Sequence, residues 1–404
     1  MAIQHISDEM ISADFFEDDY LKKYIYENGI FGTCSFSLMR RKVVSIDCIV
    51  DVIMRGIRKE YDYAENSLPP DSEEEVGFGP KPIDTYDLVH EEIAYEAGIE
   101  DEKVLNSVYS KLENRYWSNI FAEMDRSERF SKWDEYCSLL EKSRLSAEQI
   151  IAVRNHVPLE HPVRKICEFL DDIYDYCRRL DLIEDFKPDE SIYKCVDYIG
   201  SDFSDVYGID YIPASFIGTS LPTYSKDNRM NEAGDSMFYG SGNIKTILLE
   251  ANANKIENIN KGKQYTIGKF HVNKKIKVLD LYRKVNLMKV PSLFDLENAE
   301  QREVCLFMKK FSREISKPQS ESSVYRPTQV LTKYFQRTDY IKGIRYGSSK
   351  ARAAFNTVLF VDTNDCIEKS DSVAMERVQL IKDKYAEPKT YKEIENNNYN
   401  ISWI

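Results

Sequence analysis

GTSLPTYSKDNRMNEAGDSMFYGSGNIKTILLE, the stretch from Gly218 to Glu250, decides how the second half of the chain is read. It places an arginine in a polar turn (Arg229) and a tyrosine at the end of a strand-like run, Ser236–Tyr239. A carboxylate, Glu250, closes a second apolar run, Ile244–Glu250, also read as a strand. Further strand-like runs follow at Gln264–Val272, Ile276–Leu281 and Asn356–Asp362. Helical patterns alternate with them near 298–316 and 327–337; the first carries Val304, Phe307, Met308, Phe311 and Ile315 on one face, and the second begins at Pro327. Strands and helices mixed without regular βαβ spacing predict an α+β fold rather than a doubly wound sheet. Much later, Gly343-Ile-Arg-Tyr-Gly-Ser-Ser349 sets serines after another tyrosine, Tyr346.

The first half reads as helical. From Ser45, apolar residues recur as Ile46, Ile49, Val50, Ile53, Met54, Ile57 and Tyr61, one stripe of a 3.6-residue helix. Ser45 suits its N-cap, and Asp47 suits the positive end of the helix dipole. Residues 63–88 interrupt the pattern with Pro69-Pro70, the acids Asp71, Glu73, Glu74 and Glu75, and Gly77-Phe-Gly-Pro80, and they read as a surface loop. A second stripe runs through Val163, Ile166, Cys167, Leu170, Ile173, Tyr174, Cys177 and Leu180, with Pro162 in the first turn, where a missing N–H costs nothing. The charged stretch Glu184–Glu190, which contains Pro188, is where the boundary is expected. That gives a helical domain over 1–185 and a mixed domain over 186–404, with its core at about 190–365.

Composition narrows the function classes. The 404 residues are 42% hydrophobic and 30% charged, enough apolar matter for ordinary cores. Against 55 basic residues stand 68 acidic ones, a net charge of −13, so extended nucleic-acid binding is disfavoured. No run approaches the ~20 apolar residues of a membrane span, and MAIQHISDEM is no secretory signal. Eight irregularly spaced cysteines fit free thiols, and the reading is a cytoplasmic protein. Cys34-Ser-Phe-Ser37 lacks the ligands of a zinc knuckle, so no metal is expected. Arg154 and His161 have the loose spacing of a helical ribonuclease motif, but Pro158 and Pro162 break the helix that would align them, and the segment reads as a loop or helix junction. Gly-rich phosphate cradles and serine-hydrolase signatures are missing.

The segments NRMNEAGDSMFYGS (Asn228–Ser241), LLEAN, IGKFHV, VLDL, YRPTQVL and GIRYGSS–NTVLF resemble, in the same order, a RES domain. GTCSFSLMRRKVV and the helix through IMRGIRKEY are similar to the HEPN-like domain often fused ahead of it. The resemblance implies an ADP-ribosyltransferase-like fold and an enzyme that destroys NAD⁺, by hydrolysis or phosphorolysis, as a bacterial toxin or antiphage effector. Residue by residue it implies Arg229, Tyr239, Glu250 and Ser348 as the catalytic set, with Lys194 and Tyr346 added to Arg229, Tyr239 and Ser348 for holding the substrate. Cleaving the nicotinamide–ribose bond passes through an oxocarbenium-like sugar, as glycoside hydrolysis does. Glu250 would stabilise that cation, Arg229 hold the pyrophosphate, Tyr239 face the nicotinamide, and Ser348 position the ribose.

The chain departs from the family pattern at several places. Tyr193-Lys-Cys-Val196 stands where Tyr-Arg-x-Arg is usual, leaving Lys194 as a point charge. Lys333 replaces an often acidic residue, Gly347 stands where proline is common, and Ser37 replaces a cysteine. Two other functions stay open: an ADP-ribosyltransferase acting on a macromolecule, and a degenerate RES domain that only binds nucleotides or partners. The implied partners are NAD⁺ and a cognate antitoxin or phage-derived trigger; homo-oligomerisation stays open.

Overall fold

The computed structural model describes residues 9–67, 82–119, 128–158, 160–198, 212–318, 325–369 and 377–404. Pro69-Pro70, the acidic cluster that follows and Gly77–Pro80 lie outside the described residues. The chain forms two compact units, one of residues 1–132 with 289–307, the other of 133–288 with 308–404. Both mix helices with strands, so the architecture is α+β as expected.

In the first unit the predicted stripe forms the helix Ile46–Glu60, with the Ser45 side chain accepting a hydrogen bond from the Asp47 amide. Ile46, Ile49, Ile53 and Ile57 are fully buried, each at about 1.5–3 kcal/mol of transfer free energy. A three-stranded antiparallel sheet, Met10–Ser12, Arg40–Ser45 and Ile30–Thr33, shares this core. The predicted surface loop is described only at its ends. Its ends carry short elements, the strands Tyr61–Tyr63 and Ile83–Asp84, both paired with Tyr116–Asn119.

The second unit opens with helical pieces. The helix Pro162–Arg179 starts on its proline, with His161 as N-cap. Two five-stranded sheets follow. One runs in the order Ile183–Phe186, Ile276–Asp280, Ile341–Gly347, Phe355–Leu359, Phe238–Gly240. Glu184, within the charged stretch read as a boundary, lies on that sheet's edge strand. The other sheet is centred on Gln264–Val272, with Ile192–Asp197 on one side and Leu380–Tyr385 on the other. Apolar residues of both sheets bury one core, where Phe238 and Phe270 meet edge to face at 5.1 Å.

Two expectations change: the first half, expected to be helical, also holds six strands in the first unit's two sheets among its described residues, and one run of the second half changes type. Ile244–Glu250 is an α-helix, not a strand, capped by Asn243, whose side chain accepts from the Thr246 amide. Ile247 and Leu248 lie on its buried face, and a seven-residue apolar run has too few turns for its period to tell helix from strand. Glu250 therefore ends a helix.

Candidate active site

The two sheets of the second unit are joined at one point that builds the site. Tyr193 and Ser241 exchange backbone hydrogen bonds, at 2.7 and 3.0 Å. Gly240 permits the approach, since a Cβ there would lie 2.7 Å from the Tyr193 carbonyl oxygen. The junction sets Lys194 and Cys195 beside Tyr239 and Gly240, and these four line a cavity of about 260 Å³ with Ile247, Glu250, Ala251, Tyr346 and Asn356.

Glu250 is the chemical centre of this cavity. Its Oε1 accepts from Ser348 Oγ at 2.6 Å and from Asn356 Nδ2 at 2.7 Å. The Ser348 hydroxyl is itself oriented: Oγ accepts from the amides of Lys350, at 3.2 Å, and Ala351, at 3.1 Å, so its proton goes to the carboxylate. The strand Ile341–Gly347 delivers Tyr346 and, just beyond its end, Ser348. Antiparallel pairing places Asn356 directly across from Tyr346. Charge-assisted bonds of this kind are the stronger class, so the carboxylate is held in one orientation while Oε2 takes no hydrogen bond among the described residues.

Tyr239 donates to Asn231 Oδ1 at 2.5 Å and accepts from the Met230 amide at 3.2 Å, which fixes its ring in the cavity wall. Burial pushes its phenol well above the usual value, and the Tyr346 phenol beside it acts in the same direction. Tyr346 is likewise raised, chiefly by burial. Both rings are thus neutral through the physiological range.

Arg229 is not among the residues lining this cavity. Its guanidinium lies between two rings, 5.7 Å from the Tyr325 centroid and 5.8 Å from that of Tyr346, which does line the cavity. Two of its nitrogens donate to the carbonyls of Ile315, at 2.5 Å, and Lys317, at 2.6 Å. Lys194 donates to the Gly218 carbonyl and stands 5.1 Å from the Phe238 centroid. Burial lowers its pKa from 10.5 to about 8.

Other residues weighed from sequence have structural partners. Arg154 pairs with Asp171, and His161 Nδ1 accepts from the Val163 amide, so each serves a helix terminus or its packing. Cys34 is buried, and all eight cysteines are free thiols. Lys333 is buried and pairs with Asp235 at 2.8 Å. At Gly347 the amide donates to Ser316 Oγ at 3.1 Å, a bond that proline could not make. Among the described residues no group of three or more His, Cys, Asp or Glu is arranged to hold a metal ion. No helix among them is long and apolar enough to cross a membrane.

A family model, HEPN/RES N-terminal domain 1, matches residues 27–152, and a second, the RES domain, matches 205–381. The chain carries a RES domain. It follows a HEPN/RES N-terminal domain, as the quoted segments implied. Among solved structures the chain is similar to one in the crystal structure of the M. tuberculosis MbcT–MbcA toxin–antitoxin complex, at 11% identity and a TM-score of 0.31, covering 55% of this chain and 95% of that one. No curated protein matches.

Of the residues expected from sequence, Lys194, Tyr239, Glu250 and Tyr346 meet at one cavity, Ser348 is bonded to Glu250, and Arg229 stands beside Tyr346. Lys194 precedes the residues matched by the RES model and joins the site through the Tyr193–Ser241 junction. Asn356 was missed. Its signal was present in NTVLF, where an amide stands in a largely apolar strand; buried amides in strands need partners, and this one's is Glu250.

Proposed function

We propose that the RES domain cleaves the nicotinamide–ribose bond of NAD⁺ and that the protein acts as a toxin or antiphage effector by depleting the cofactor. The observation that carries this reading is the carboxylate of Glu250, held by Ser348 and Asn356 at a cavity walled by two tyrosines. At about 260 Å³ the cavity is below the roughly 300–1,000 Å³ of sites that enclose a whole drug-sized ligand, and it suits the nicotinamide riboside end of the dinucleotide.

In the proposed reaction the C1′–N bond breaks and its electron pair goes to the pyridinium nitrogen, so nicotinamide leaves neutral and needs no general acid. Positive charge develops at C1′ and O4′, where the ionised Glu250 stabilises it. Water, or phosphate, attacks C1′; with water the products are ADP-ribose, nicotinamide and one proton. Tyr239 and Tyr346 flank the leaving ring, and Ser348 positions the ribose through the carboxylate it shares. Arg229, beside the cavity wall, and Lys194, within it, supply positive charge for the pyrophosphate. A cognate antitoxin or phage-derived trigger would control the activity.

Purified protein incubated with NAD⁺, with and without phosphate, tests the reaction through nicotinamide release. Release from well-folded protein is the expected result, and its phosphate dependence names the acceptor. A folded protein that releases none, with or without phosphate, would defeat the proposal.

Two further outcomes follow from the site. Asn356→Ala removes one charge-assisted hydrogen bond, worth about 1.5–3 kcal/mol, so kcat/KM should fall roughly ten- to a hundredfold. Asn356→Asp, which sets a second carboxylate against Glu250, should fall further; wild-type rates in both would remove Asn356 from the site. For Lys194, deprotonation near pH 8 predicts that KM for NAD⁺ rises as pH passes through that value, while Lys194→Arg keeps a flat profile. A wild-type KM constant from about pH 7 to 9 would show that its charge does not hold the substrate. The same lowered value means that folding releases a proton between pH 8 and 10.5, so this group's contribution to stability grows as pH rises through that window.

A further inference from the structure

A second cavity in this unit lies at the other end of the sheet that carries Tyr346. The strands Ile276–Asp280 and Ile341–Gly347 run parallel, and the candidate active site takes Tyr346 and Ser348 from the end of the second. Around the start of both strands, Lys274, Lys275, Lys277, Tyr340, Lys342, Phe360 and Arg377 enclose about 390 Å³ with Asp365. Lys342 and Tyr346 are four residues apart, about 13 Å along the strand, so the two cavities are distinct.

The lining sets five cations against one carboxylate in a chain whose net charge is −13. Two carboxylates outside the lining restrain the lysines: Asp185 pairs with Lys277 at 2.6 Å and Lys275 at 3.3 Å, and Asp339 pairs with Lys342 at 2.7 Å. Arg377 pairs with Asp365 at 2.9 Å. Lys274 forms no ion pair among the described residues. The rim is also braced. The Asn273 side chain donates to the Arg377 carbonyl at 3.2 Å and accepts from the Gln379 amide at 2.9 Å, and the Phe360 amide donates to the Lys342 carbonyl at 2.9 Å. Half-exposed Tyr340 and part-buried Phe360 add aromatic surface to the same walls.

We propose that this cavity binds a small phosphate ester of nucleoside-phosphate size, separately from the candidate active site. Against Asp185, Asp339 and Asp365 the five cations keep a net charge of two, with Lys274 unpaired among the described residues, which suits a doubly charged anion better than a monovalent one. The Tyr340 and Phe360 rings give the base or sugar an apolar face. The volume falls within the roughly 300–1,000 Å³ usual for such ligands.

The test is calorimetric titration of the full chain with ADP, done in an Arg229→Gln background so that the candidate active site, deprived of a charge for the pyrophosphate, contributes little. Saturable binding is expected, weakening as salt rises and displaced by inorganic pyrophosphate. Adding Lys274→Glu should weaken it at least tenfold with an unchanged melting temperature, since Lys274 makes no ion pair that folding needs. Lys274→Glu alone should leave NAD⁺ cleavage as in the parent. Absence of saturable ADP binding overturns the proposal, as does affinity indifferent to Lys274→Glu. Preference for a polyglutamate peptide over ADP would replace it with a protein-docking surface.

Discussion

Glu250→Gln is expected to lower the turnover of NAD⁺ by about 10²–10³ while leaving the fold and KM close to the parent, because the charge is needed only as the oxocarbenium develops. Glutamine is nearly isosteric, and its carbonyl oxygen still accepts from Ser348 and Asn356, so the variant isolates charge from shape. Loss of binding would be a different result: a raised KM at constant kcat would make Glu250 a substrate clamp. Turnover within tenfold of the parent, in a protein with the parent's melting temperature, would remove the carboxylate from the chemistry. Nicotinamide release in single- and multiple-turnover assays separates these cases.

Arg345→Met is expected to cost stability rather than chemistry, about 3–5 kcal/mol by denaturant unfolding. Arg345 is 1% exposed and pairs with Asp280, itself fully buried, at 2.8 Å, and with Glu184. Methionine fills most of the volume but leaves Asp280 with only Arg283 as a charged partner among the described residues. Burial pushes the Asp280 carboxyl upward; the hydrogen bond and charge of Arg345, with bonds from the Tyr282 amide and Arg283, more than offset this and hold it below its ordinary 3.8. A depressed carboxylate contributes its full stability above that ordinary value, and the contribution is lost as pH falls through the native one. In Arg345→Met the acid-induced loss should therefore begin at higher pH, and adding Asp280→Asn should recover part of the deficit. A loss below about 1 kcal/mol with an unmoved acid transition would mean that the network is solvated like a surface pair.

How much of this was legible depended on the range of the signal. The helices Ile46–Glu60 and Pro162–Arg179 were readable to their caps, because Ser45 and Pro162 act within one turn of the stripes they start. The strand Gln264–Val272 was readable residue for residue. Ile244–Glu250 was not, since its conformation is set by the Asn243 cap and by what its apolar face packs against. At the site, residue identities came from the family resemblance, but partnerships did not. That Asn356 holds Glu250 depends on a pairing register across from Tyr346 and on a helix end, and neither has a local sequence signature. Arg229 shows the converse: its position in a polar turn was plain, yet its anchoring to Ile315 and Lys317 relies on carbonyls 86 and 88 residues away.

The Tyr193–Ser241 junction and the two donors to Glu250 have a consequence for a cell that makes this chain. Lys194 and Tyr239 are made first, and Ser348 and Asn356 come more than a hundred residues later. A nascent or truncated chain ending before Ser348 lacks both groups that orient the carboxylate, and contacts over such separations form late in folding. Until both have been made, the geometry that the proposed reaction needs around Glu250 does not exist, whatever part of the cavity has already folded.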